Sequence, residues 1–149
     1  MFPIVITYKK KLDRKIITKT NQAILLSLKK SLEQTGVDKI QIVTDSALRF
    51  ENVFFSIKPA GNWNIWVGIK NGKVEIKEKE GVRFLFYSFN ALYILIASLI
   101  PLFVLIIINR EFSVFTVGIP VFFILLVYTT TIARHSDFLT GALNQMNTD

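Results

Sequence analysis

The chain has 149 residues, 18 Lys and Arg against 11 Asp and Glu, a formal net charge of +7, one histidine and no cysteine. Without cysteine there is no disulfide framework, no thiolate metal site and no thiol nucleophile, and a lone histidine excludes a multi-histidine metal centre within one chain. The mean hydropathy of +0.42 averages two unlike halves, a basic region before residue 84 and an apolar stretch after it, so the chain is best divided before it is read.

Residues 3–8 alternate Ile4, Ile6 and Tyr8 with Val5 and Thr7 and read as a first strand, with Pro3 suited to its start. The run Lys9, Lys10, Lys11, Arg14 and Lys15 follows as a charged connection. It lacks interleaved aromatics and any nucleic-acid-binding signature, so nucleic acid is not expected as a partner; a solvated loop, or anionic lipid headgroups, suits it better. Residues 21–35 carry Ile24, Leu25, Leu28 and Leu32 at helical spacing, with Thr20 or Asn21 placed to cap the start and Gly36 just past the end. That helix buries one face against a sheet.

The sheet follows. Strands are expected over 39–44, over 47–57 with a bend near Glu51 and Asn52, and over 63–69 after a turn at 59–62. Asn71 and Gly72 give the strongest two-residue hairpin signal, and the returning strand sets Val74 and Ile76 inward with Lys73, Glu75, Lys77 and Lys79 outward. Trp63 and Trp66 fall on opposite faces of one strand; Trp63 suits the core, whereas Trp66 is a candidate for membrane or protein contact or for burial under the C-terminal tail. Residues 1–81 thus form a small basic α+β domain of strand, helix and about four antiparallel strands, with Gly81 as the hinge out of it.

Residues 82–132 are expected to form a transmembrane helical hairpin. The run 84–108 holds no formal charge and spans roughly 37 Å as a helix, and the run 112–132 spans roughly 31 Å, against a hydrocarbon core of about 30 Å. Asn109, Arg110 and Glu111 make the turn. The excess of Lys and Arg before the first run, with Arg83 abutting it and Arg134 following the second, places both termini on the cytoplasmic side of a plasma or inner membrane. Pro101 and Pro120 lie at one level in such a hairpin, and Asn90 lies level with Thr130, so that an interhelical hydrogen bond from Asn90 to Thr129 or Thr130 is expected. The tail, 133–149, carries Phe138, Leu139, Ala142, Leu143 and Met146 on one helical face and can lie at the interface, dock on the sheet or fray.

Chemistry-bearing motifs are lacking. No phosphate loop, dinucleotide fingerprint or nucleophile elbow occurs, the carboxylates are scattered, and His135 reads as a surface residue. No catalytic, metal or cofactor site is expected. The sequence therefore points to a non-catalytic, membrane-anchored binding or adaptor subunit that acts through its sheet domain. Its contacts would be the bilayer, anionic headgroups and a protein partner or a second copy, with Trp66, Arg83, Lys9, Lys10, Lys11 and Arg14 as contact candidates. The alternative is an oligomeric channel-like or transport accessory protein built from the hairpin.

Overall fold

A computed structural model describes residues 5–52, 69–92, 96, 99, 104, 107 and 114–148. In chain order these form β1 (Val5–Lys11), α1 (Arg14–Ile17), α2 (Asn21–Gln34), β2 (Lys39–Thr44), β3 (Ala47–Glu51), β4 (Asn71–Lys79), β5 (Val82–Asn90) and α3 (Val114–Thr148). The five strands make one antiparallel sheet in the order β1-β5-β4-β3-β2.

One face of that sheet is the core. Leu48 and Phe50 of β3, Val74 and Ile76 of β4, and Leu85, Tyr87 and Phe89 of β5 all point to it and are buried. Helix α2 lays Ile24, Leu25, Leu28 and Leu32 on this face. Its start is capped by the Thr20 hydroxyl, which accepts from the Ala23 amide at 3.2 Å, and Gly36 follows its end at φ 89°. These features match the expectation for 21–35. The second half of α3 completes the layer with Leu139, Ala142, Leu143 and Met146, so the tail docks on the sheet as a continuation of the preceding helix.

Three local expectations are corrected. The first strand runs on through Lys9, Lys10 and Lys11, which pair with Phe86, Leu85 and Phe84, so these lysines are sheet residues and not a loop. Asn71 and Gly72 are not a turn: they begin β4, opposite Glu51 and Phe50. Glycine is needed there because the Phe50 ring lies across it; a Cβ would stand 2.2 Å from Phe50 Cζ and 2.6 Å from the Ser88 carbonyl oxygen. The turn signal was a packing requirement. Gly81, in turn, is no hinge. With Glu80 at φ 55° and Gly81 at φ 72° between paired Lys79 and Val82, the two make the tight β4–β5 turn whose left-handed backbone matches strand twist.

The transmembrane hairpin, and with it the integral-membrane location and the assignment of both termini to the cytoplasmic side, is not supported: among the described residues no helix is long and apolar enough to cross a membrane. The physical reason is clearest at Phe84–Asn90, counted as the first third of a span. Those seven residues are β5, paired on both sides. Apolar character alone does not distinguish a membrane helix from a central strand, and the density of Phe84, Phe86, Tyr87 and Phe89 is the strand signal. Residues 114–132 of the second run become the first half of α3, which passes without a break into Arg134, Asp137 and the sheet-docking positions. Trp63, Trp66 and Pro101 lie outside the described residues.

Gly72→Ala is expected to destabilise the fold by about 1–3 kcal/mol, the usual cost of forcing volume into a packed site. Chemical denaturation measures it, and Gly72→Ala combined with Phe50→Leu should recover part of the loss.

Candidate interaction surfaces

The core side of the sheet is tied to α3 by a cluster of aromatic and polar groups that the sequence left scattered. Tyr8 of β1 stacks on Tyr87 of β5 at 6.1 Å, and Phe89 lies 4.3 Å from the His135 ring. The Tyr87 hydroxyl and His135 Nδ1 share a hydrogen bond of 2.7 Å, and the Tyr8 hydroxyl donates to the Ile132 carbonyl at 2.6 Å. His135, expected at the surface, is 0% exposed. A ring with a hydrogen-bonding edge satisfies Tyr87 inside an otherwise apolar layer, where an unpaired hydroxyl would be costly. At the far end of the dock Lys19 Nζ donates to the Met146 carbonyl at 2.8 Å, and Asn147 Nδ2 donates to Asp13 Oδ2 at 3.2 Å. Helix α3 therefore runs alongside β1 in the same direction.

Arg83, a contact candidate from sequence, faces this same interior. It donates to the carbonyls of Ile17 and Lys19, the latter at 3.0 Å, and to Asn21 Oδ1 at 3.0 Å, which fastens the α1–α2 connection to β5. Asn90 and Thr130 satisfy themselves locally. Asn90 Oδ1 accepts from the Leu92 amide at 2.9 Å, while the Thr130 hydroxyl donates to the Leu126 and Val127 carbonyls at 2.8 and 3.0 Å. Pro120 sits within α3, and Arg14 within α1. Lys10 points to the helix side and is half-buried, whereas Lys9 and Lys11 are exposed on the opposite side.

That opposite side is the second surface. Alternation sends Lys9 and Lys11, Phe84 and Phe86, and Lys73 and Lys77 to the face that α2 and α3 do not cover, and the pairings Lys11↔Phe84↔Lys77 and Lys9↔Phe86↔Glu75 set them in rows. Lys9 Nζ lies 4.2 Å from the Phe84 ring centroid and 5.8 Å from that of Phe86; Lys77 Nζ lies 5.4 Å from Phe86. Glu75 pairs with Lys77 at 3.0 Å and Lys73 at 3.1 Å, and the hydrogen bonds from Lys77 and then Lys73 hold its carboxyl below the usual range. A shallow trough of about 320 Å³ lies beside these residues over β3 and β4, lined in part by Arg49, Lys73 and Lys77. The expectation that the lysine cluster lacks interleaved aromatics holds along the chain and fails across the strands.

The third surface is the first half of α3. Ile119, Val121, Phe122, Phe123, Leu125, Leu126 and Val127 are all exposed, Phe122 by 62%. Successive helical positions turn by about 100°, so these side chains cover about two thirds of the circumference, and the remaining third carries half-buried Ile124 and buried Tyr128. Before α3, Ile96, Leu99, Val104 and Ile107 are helical and exposed as well, Ile107 by 71%. Among the described residues no group of three or more His, Asp or Glu could hold a metal ion. Compared with protein families, curated proteins and solved structures, the chain matches none.

The tyrosine pair makes stability fall at alkaline pH. Burial, then the neighbouring Tyr128, pushes the Tyr8 hydroxyl up to about 12; burial, then Tyr8, raises Tyr87 well above 10. The folded state thus holds protons that the unfolded chain releases near pH 10, so stability is fully present below pH 10 and lost as pH rises through about 12. Denaturation midpoints measured across that window should drop steadily, and the drop should be shallower in Tyr8→Phe.

Proposed function

We propose that this chain is a non-catalytic binding protein, a subunit or adaptor, whose α+β body works beside a lipid bilayer contacted by the apolar half of α3. The observation that carries this reading is the exposure of Ile119, Val121, Phe122, Phe123, Leu125, Leu126 and Val127 around about two thirds of the helix. Each Å² of apolar surface left in water costs about 25 cal/mol, and contiguous exposed patches beyond a few hundred Å² mark an interaction site. A lipid surface accepts apolar side chains without demanding matched shape. Arg134, exposed on α3, adds attraction to anionic headgroups, about 1 kcal/mol for a cation held near them.

Binding, as opposed to catalysis, is supported by how the reactive groups are used. His135 is committed to Tyr87 inside the dock, and Glu75 lies between two lysines. His135 is sealed from solvent, and the charge of Glu75 is taken up by its two lysines.

The test is flotation of the full chain with phosphatidylcholine vesicles, with and without phosphatidylserine. The wild type should float with both, more completely with the anionic lipid. Phe122→Glu combined with Leu126→Glu should remain at the bottom while keeping its far-ultraviolet circular dichroism, because both positions are exposed and precede the dock at Tyr128. Wild-type protein that stays down, or a double variant that floats equally well, would overturn the reading. So would wild-type protein that stays down as a homo-oligomer, which would assign the apolar segment to a second copy.

A further inference from the structure

We propose that the face of the sheet that no described helix covers binds single-stranded nucleic acid, with Phe84 and Phe86 as stacking platforms between two rows of lysines. The inference is independent of the bilayer contact. Its basis is the cross-strand juxtaposition: β5 carries the aromatic row, β1 carries Lys9 and Lys11 on one flank, and β4 carries Lys73 and Lys77 on the other. Neighbouring strands stand about 4.8 Å apart and same-face residues on one strand about 6.6 Å apart, so each ring has cations within reach on both sides.

Phosphate groups and bases need those two kinds of group together. A polyanion alone would be served by the lysines, and an acidic peptide has no use for a row of phenylalanines. Single-stranded nucleic acid combines a charged backbone with flat faces that stack on aromatic rings. The ammonium of Lys9, 4.2 Å from the Phe84 centroid, marks a ring face that a cationic group already occupies and that a base can take while the ammonium moves to a phosphate. Duplex fits poorly, because its base edges lie in grooves read by a protruding helix or ribbon and the described residues of this face are those of a flat sheet. Glu75 opposes the charge only in part, since it is shared by Lys73 and Lys77, and Arg49 adds a further exposed cation on β3.

Position separates this face from the lipid-contacting element. Helix α3 docks on the other side of the sheet, through Ile132 to Tyr8 and His135 to Tyr87. Its apolar half leads away from that dock, and one layer of sheet and side chains stands between the two surfaces. Exposed charges separated by more than about 8 Å are largely screened at physiological ionic strength, so headgroups gathered at α3 do not occupy the lysines beyond the sheet.

The test is fluorescence anisotropy of a labelled oligothymidine of about 12 nucleotides with the full chain in neutral detergent, at salt from about 50 to 200 mM. Phe84→Leu with Phe86→Leu should raise Kd roughly tenfold or more and leave the salt slope unchanged. Lys9→Gln, Lys11→Gln and Lys77→Gln together should lower the slope of log Kobs against log salt by about 0.7 for each lysine removed. The lysine variants alter exposed side chains and keep the proposal falsifiable if the phenylalanine variant fails to fold. Lys29→Gln with Lys30→Gln, on α2, should bind as the wild type does. The proposal is overturned by no binding, by equal losses in the α2 control, or by a folded phenylalanine variant with wild-type Kd. It is equally overturned if a polyglutamate peptide or phosphatidylserine vesicles bind this face in preference to the oligonucleotide.

Discussion

Strand β5 is the constraint on which the rest of the structure depends. It lies second in the sheet, hydrogen-bonded to β1 on one side and β4 on the other, so without it β1 is cut off from the other described strands. Its two faces then set the two sides of the domain. Leu85, Tyr87 and Phe89 receive the helices, and Tyr87 in particular joins β1, through Tyr8, to α3, through His135. Phe84 and Phe86 face outward and hold the lysines of both neighbouring strands in register around them. Period-two alternation in one segment thus divides core from surface.

Local signals in the sequence were readable wherever one element decides its own structure. Helix α2 shows its apolar spacing, its Thr20 cap and its Gly36 terminator within a single stretch, and β2 reads from alternation alone. Failures came where a residue's role is set by something distant in the chain. Gly72 resembles a turn glycine but answers to the Phe50 ring, and Phe84–Asn90 resembles a membrane segment but answers to β1 and β4. An apolar run buried in the centre of a sheet has the same composition as one buried in lipid. His135 was misread for the same reason, since nothing near it in sequence indicates a tyrosine forty-eight residues earlier. Of the surfaces, the apolar helix was legible as composition, whereas the lysine–phenylalanine rows exist only across strands and have no linear signature.

The division of the domain into two sides gives it the geometry of a spacer. Helix α3 packs on one side of the sheet, and the lysine–phenylalanine face lies on the other, a sheet's thickness away. The cation–π contacts of Lys9 and Lys77 contribute about 0.5–1 kcal/mol each at such exposed sites, too little to define the fold. Their effect is to keep flexible side chains over a defined row of rings, so that less conformational freedom remains to be lost when that surface is engaged.

The pairing of β1 with β5 also has a consequence for biosynthesis. Lys11 and Phe84 are partners 73 positions apart, and Val5 and Asn90 are 85 apart. At roughly 5–20 residues per second, a ribosome needs several seconds to supply β5 after β1 has left the exit tunnel. During that interval β1 is an unpaired strand rich in β-branched residues, the kind of segment that recruits strands from other nascent chains. Lys9, Lys10 and Lys11 occupy three consecutive positions of it. Their mutual repulsion with the same triplet on a neighbouring polysome product opposes premature pairing, so the lysines act as gatekeepers of synthesis before they become part of a finished surface.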